Sequence, residues 1–215
     1  MFERPLKLTH SENSKVYFTS DSHFGHNHEF IYDKRGYLSR LAHNEGLFKI
    51  INSLVRPEDI LIHLGDFCLN SSQEEFEEYL SKIKCQNILY IWGNHNSRIR
   101  KAYEDTVEKQ FGSRKLEVYP ITYRNVTFLG YYKEIIVNGQ MIVLHHYPHQ
   151  IFNQMQKFAY QLSGHSHNSN PSTQISSKEG KILDVGWDGH NKPLDFDEIQ
   201  AIMASKQHKK RDSYH

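Results

Sequence analysis

A chain of 215 residues, 38% apolar and 24% charged, can bury one substantial core, which excludes a disordered or fibrous protein. With 26 Lys and Arg against 25 Asp and Glu, net charge draws it to neither nucleic acid nor membrane, and no run approaches the ~20 apolar residues that cross a bilayer. Two cysteines, Cys68 and Cys85, are too few for a disulfide framework, and the first ten residues lack a signal-peptide stretch. The expectation is a single cytoplasmic domain over residues 1–204 with a basic tail over 205–215.

The first β-like run, Val16-Tyr17-Phe18-Thr19, stops just before Asp21 and His23. Apolar residues at helical spacing over 41–55 end ahead of Pro57. A second β-like run, 60–64, stops at Gly65-Asp66. Ser71 and Ser72 can cap a helix over 72–83 whose first turns hold Glu74, Glu75, Glu77 and Glu78, where the helix dipole favours negative charge. A third run, 88–92, leads into Gly93-Asn94-His95. The helix predicted over 98–111 starts with Arg98, Arg100 and Lys101, against the dipole, which favours a nearby anion or a solvated basic face.

Residues 116–142 read as a β-meander with turns at Asn125 and Asn138-Gly139. Two further runs, 141–144 and 158–162, lead to His145-His146 and to Gly164-His165-Ser166-His167, and another strand is predicted over 182–185. Lys206, Lys209, Lys210 and Arg211 lack apolar periodicity and predict a disordered tail. Strands that alternate with helices and later follow one another in hairpins predict a mixed α/β layered fold.

Most of the 15 histidines fall at the ends of these runs. Layered α/β proteins gather ligands beyond the carboxyl ends of their strands, so five strands ending in ligand-type residues imply one shared site. Asp21 and His23, two apart at a strand end, project to the same side. Asp66 has two oxygens with which to bridge cations, and it lies too far from the helix after Ser71 to cap it directly. Asn94 offers a neutral amide oxygen, His95 an imidazole able to transfer a proton, and His165 and His167 can each face a different cation. His145 and His146 are adjacent, so at most one of them points into the site. Seven donors over two cations is the form of a two-metal hydrolase.

The order Asp-x-His, Gly-Asp, Gly-Asn-His, His-x-Pro, Gly-His-x-His resembles the calcineurin-like metallophosphoesterase superfamily. Residues 18–26, 63–67, 146–148 and 184–188 look like a small single-domain branch of it found in bacteria and phages. The resemblance implies a four-layer α/β/β/α sandwich of two mixed β-sheets flanked by helices. It also implies that His146, rather than His145, is the ligand. One divalent cation is then implied on Asp21, His23, Asp66 and His167, and another on Asp66, Asn94, His146 and His165. Manganese leads among the metals that such mixed donors accept, which include iron, zinc, nickel, cobalt and magnesium.

Two such cations lower the pKa of a water bridging them, so that hydroxide attacks phosphorus, with Asp66 as the shared ligand. His95 is similar to the family's catalytic histidine, which protonates the leaving group. Many relatives carry an acidic residue after Gly-Asn-His; Asn96 here leaves His95 without that adjacent carboxylate. His26 and Arg35 fall where the branch often faces its substrate, Arg35 reading either as a bidentate phosphate clamp or as an exposed loop arginine. The substrate implied is a small phosphomonoester or phosphodiester, a nucleotide first. The alternatives are a nuclease of the same superfamily acting on nucleic acid, and a non-catalytic scaffold of the same fold.

Overall fold

In the computed structural model, which describes residues 4–69, 71–111, 121–178 and 180–208, the chain opens with β1 (Leu6–Leu8) and β2 (Val16–Thr19). There follow α1 (Glu29–Lys34), α2 (Arg40–Leu54), β3 (Ile60–His63), α3 (Gln73–Ser81), β4 (Asn87–Tyr90) and α4 (Ser97–Phe111). Next come β5 (Ile121–Tyr123), β6 (Val126–Phe128), β7 (Tyr132–Val137), β8 (Gln140–His145), β9 (Tyr160–Ser163) and β10 (Ile182–Asp184). The last elements are α5 (Trp187–His190), β11 (Leu194–Asp195) and α6 (Phe196–Ser205).

Two mixed sheets face each other, one ordered β11-β2-β3-β4-β6-β5 and the other β1-β7-β8-β9-β10. Strands β2, β3, β4 and β6 run parallel in the first, and β8, β9 and β10 run parallel in the second. The period of two in each strand divides its side chains between two cores. Val16 and Phe18 of β2 and Ile62 of β3 join Ile135, Ile142, Leu144, Leu162 and Leu183 between the sheets. Tyr17, Leu61, Ile88 and Tyr90 face the other way, onto Leu47, Phe48 and Ile51 of α2, Phe76 and Leu80 of α3, and Ile99 and Tyr103 of α4. This is the helix-flanked, two-sheet α/β architecture that the resemblance implies.

Helix α3 begins with a full capping box, Ser72 Oγ accepting from the Glu75 N–H while the Glu75 carboxylate accepts from the Ser72 N–H. The predicted meander is divided between the sheets. The β5–β6 hairpin extends the six-stranded sheet, the chain crosses at Gly130 with φ +83°, and the β7–β8 hairpin, turning at Asn138-Gly139, belongs to the other sheet. Residues 116–120 of that expectation lie outside the described residues. Elements β1, α1, α5, β11 and α6 are not among those expected from apolar spacing, although Asp195 and Glu198 form a second capping box at the start of α6.

Lys206, assigned from sequence to a solvated tail, is instead 2% exposed. Its ammonium donates to the carbonyls of Gln174 (2.6 Å) and Ser177 (3.1 Å), and burial pushes its pKa down to about 8. Residues 209–215 lie outside the described residues. Among the described residues no helix is long and apolar enough to cross a membrane.

Candidate metal centre

Six parallel strand ends from both sheets meet at one edge, and the loops that follow them carry Asp21 and His23 (after β2), Asp66 (β3), Asn94 and His95 (β4), His146 (β8), His165 and His167 (β9) and Asp188 (β10). Backbone bonds tie the loops together: Asp21 N–H donates to Gly65 O (3.0 Å), His23 N–H to Asp66 O (3.0 Å) and Gly164 N–H to His146 O (2.9 Å). Asp21, His23, Asp66, His165 and His167 all sit in the left-handed region, with φ between 48° and 66°. Side chains other than glycine pay about 1 kcal/mol or more there, a cost that persists where surrounding contacts over-determine a functional loop.

Two glycines make the close approach possible. A Cβ on Gly93 would meet Asp66 Oδ1 at 2.1 Å, and one on Gly164 would meet Ser20 Oγ at 2.0 Å and Asp21 Oδ2 at 2.3 Å. Both positions therefore admit only hydrogen at Cα.

Donor atoms of Asp21, His23 and His167 lie within 4.8 Å of one another, as do those of Asp21, Asp66 and His146. In the first group, His167 Nδ1 meets Asp188 Oδ2 at 2.6 Å and, as the donor there, leaves Nε2 as a lone pair 3.3 Å from His23 Nε2. Asp21 Oδ1 is buried without a donor, 3.8 Å from His23 Nε2. In the second, His146 Nδ1 must donate to the Leu64 carbonyl at 2.7 Å, so its Nε2 faces Asn94 Oδ1 at 2.9 Å and Asp66 Oδ2 at 3.3 Å. His165 Nδ1 adds a contact of 3.0 Å to the same Asn94 oxygen. Lone pairs aimed at lone pairs need a proton or a cation between them, and a carboxylate, amide and imidazole set suits a divalent metal.

The electrostatics agree. Burial pushes the Asp21 carboxyl up, against the pull of His146 and His167, and pushes the His23 imidazole down. At Asp66 burial acts upward too, but the hydrogen bond and charge of His146 outweigh it and hold the group down to about 2.

Of the remaining expectations, His145 turns away from the cluster, its ring 4.2 Å from that of His149, while His146 turns in. His95 lies at the open side, its side chain 45% exposed and Nε2 4.0 Å from Asp66 Oδ2. His26 packs edge-on to His23 at 5.6 Å, with Nδ1 taken by the His28 N–H, and burial lowers its pKa to about 4. Arg35 is neither an exposed loop arginine nor a free phosphate clamp, because its side chain is 1% exposed and its five N–H donors meet five acceptors. Trp92 and Trp187 are core residues.

Sequence reasoning gave no role to Asp184 or Asp188. Asp184 accepts from Gly186 N (2.7 Å), Asn168 N (3.2 Å) and Ser166 Oγ, bracing the loop that carries His165 and His167. The available signal was a sixth apolar run ending in carboxylates, of the kind that marked the other loops.

Facing mixed sheets with this donor set at one edge define a scaffold of the metallohydrolase class. The sequence profile described as calcineurin-like phosphoesterase matches residues 14–169. This chain belongs to the calcineurin-like phosphoesterase family. An uncharacterized protein of Methanocaldococcus jannaschii is 33% identical over 82 residues, 38% of this chain and 47% of that protein, so the chain spans about half the length of the curated relative it matches. The crystal structure of a protein of unknown function from Aquifex aeolicus shares the fold, with a TM-score of 0.57 and 21% identity over 88% of this chain and all of the other.

Proposed function

We propose that the protein is a binuclear metal-dependent phosphoesterase that hydrolyses a small phosphomonoester or phosphodiester, a nucleotide in particular, with manganese as the working metal. The observation that carries this reading is two adjoining lone-pair clusters, Asp21 with His23 and His167, and Asp66 with His146 beside Asn94. In this reading Asp21, His23, Asp66 and His167 hold one cation, and Asp66, Asn94, His146 and His165 the other. Cations bound there supply charge for the phosphoryl oxygens and acidify a water.

The protein's own groups do the rest. His95, exposed beside the cluster with Nε2 4.0 Å from Asp66 Oδ2, is the donor to the leaving oxygen. His26 retains Nε2 for a phosphoryl oxygen. Tyr147, 42% exposed with its ring 4.3 Å from that of His165, and Phe30, 65% exposed over His26, offer aromatic surface on two sides of the centre, which suits the base of a nucleotide.

The test is turnover by the manganese-loaded chain on nitrophenyl phosphate, its bis ester, a panel of nucleotides and single-stranded DNA. The expected result is fastest turnover on a nucleotide. Fastest turnover on the DNA would move the reading to a nuclease, and no turnover on any of them would sink it.

A further inference from the structure

The route from His167 into the protein interior is continuous and closed. Its Nδ1 meets Asp188 Oδ2 at 2.6 Å. That carboxylate, 4% exposed, is gripped bidentately by Arg35, Nε to Oδ1 at 3.2 Å and Nη2 to Oδ2 at 2.8 Å. The second hydrogen on Nη2 goes to the Asp21 carbonyl at 2.8 Å, and Nη1 donates to the Ser22 carbonyl and to His43 Nε2, each at 3.0 Å. A single buried guanidinium therefore holds both the carboxylate behind His167 and the left-handed backbone at Asp21, two of the three residues of one donor group.

We propose that Asp188 and Arg35 are positioning residues for that group: Asp188 keeps the proton of His167 on Nδ1 so that Nε2 is presented, and Arg35 locks Asp188 and the Asp21 backbone in register. The inference rests on reading Asp21 and His167 as ligands. A buried carboxylate behind a ligating imidazole fixes its tautomer and ring orientation and raises its basicity. Arg35 is itself confined, since losing either Asp188 oxygen would leave a buried N–H without a partner. Asn94, His146 and His165 have no hydrogen bond to Arg35 or Asp188, and in the proposed ligand sets Asp21 and His167 serve the same cation, so the pair acts on that cation.

Two readouts test this on the full chain. Calorimetric titration of chelator-stripped protein with Mn2+ should resolve two sites in the wild type. Asp188→Asn, nearly isosteric, should weaken one of them by roughly 10- to 100-fold and leave the second alone. Arg35→Lys, which keeps the charge but loses the bidentate grip, should weaken the same site. Asp197→Asn, which removes a carboxylate 3.3 Å from His10 and far from the centre in the hydrogen-bond network, is the control and should change neither.

The second readout needs no metal. In 15N-histidine-labelled, metal-free protein at mildly alkaline pH, His167 should appear with the proton on Nδ1, and Asp188→Asn should return its ring nitrogens to the mixture of tautomers usual for a free imidazole. Unchanged affinities together with unchanged His167 nitrogen shifts in Asp188→Asn overturn the proposal, as does equal weakening of both sites. A wild type that binds no cation sinks the ligand reading instead, and the tautomer measurement then decides by itself whether Asp188 sets the ring. Should Asp188→Asn fail to fold, Arg35→Lys decides by the same two criteria.

Discussion

The side-chain oxygen of Asn96 lies 3.1 Å from the backbone nitrogen of Asp66 and accepts its N–H. The same oxygen accepts from Gly93 N–H at 3.0 Å and Tyr90 OH at 2.8 Å, and the residue is 1% exposed. Residue 96 thus braces the loops bearing Asp66 and Asn94, and the carboxylate beside the His95 ring is that of Asp66. Residue 96 therefore acts on the geometry of these loops.

Asn96→Ala strands three donors and should cost about 3 kcal/mol of stability. Asn96→Asp keeps the acceptor and removes Nδ2, which is buried without a partner, so it should spare most of that loss. Urea denaturation of the two variants checks the difference; equal stabilities would contradict the bracing role.

His165 has φ +66°. At ordinary exposed positions alanine is at least as stable as glycine, but in the left-handed region the order reverses. Metal-free His165→Gly is expected to be more stable than His165→Ala by about 1 kcal/mol, with both variants losing thermal stabilisation on manganese addition. Thermal melts with and without the metal give both numbers.

Gly164→Ala forces a methyl into Ser20 Oγ and the Asp21 carboxylate. Since these atoms belong to a buried strand end, the expected outcome is destabilisation by about 3 kcal/mol and weaker manganese binding, read by denaturation and by metal titration.

Asp66→Asn and His95→Ala should separate binding from turnover. Asp66 lies against both His146 and the backbone of His95, so removing its charge should reduce bound metal, whereas His95→Ala should retain metal and slow turnover by roughly 100-fold or more. Metal analysis beside steady-state kinetics distinguishes them, and equal metal loss in both would contradict the assignment of His95 as a proton donor.

Burial lowers the pKa of His63 to about 3, with the unfolded chain near the ordinary value of 6.5. Below 6.5 the unfolded chain takes a proton that the folded chain refuses, so this contribution to stability is complete above 6.5 and is lost as pH falls toward 3. His43, lowered to about 4 by burial and then by the Arg35 charge, acts in the same direction. His146 and His167, whose pKa values are raised in the metal-free protein, act in the opposite one. A variant isolates the effect: the loss of stability between about pH 7.5 and pH 5 should shrink by about 2 kcal/mol in metal-free His63→Gln. An unchanged loss would mean that His63 titrates normally.

The strand-end donors were legible in the sequence because strand periodicity and the punctuation by Asp21, Asp66, Gly93 and Gly164 are local properties. The same local chemistry marked α2, α3 and α4, through spacing and through the Ser72 cap. Where structure departs from local expectation, the deciding contact spans the chain. Residues 121–145 carry hairpin signals that do not say which sheet each hairpin joins, and the β-branched run of β7 pairs with β1, more than a hundred residues earlier. Lys206 reads as tail until Gln174 and Ser177 supply carbonyls to cover its charge.

Apolar runs and their polar stops were enough to place Asp21, Asp66, Asn94, His146 and His165 at strand ends. Tertiary structure alone decided what surrounds those donors. Arg35 and Asp188 are separated by 153 positions, and no spacing rule connects them. Only the packing of the end of α1 against α5 buries the guanidinium against its carboxylate, and once it is buried, the cost of an unpaired N–H turns an apparent phosphate clamp into a support behind the candidate ligands.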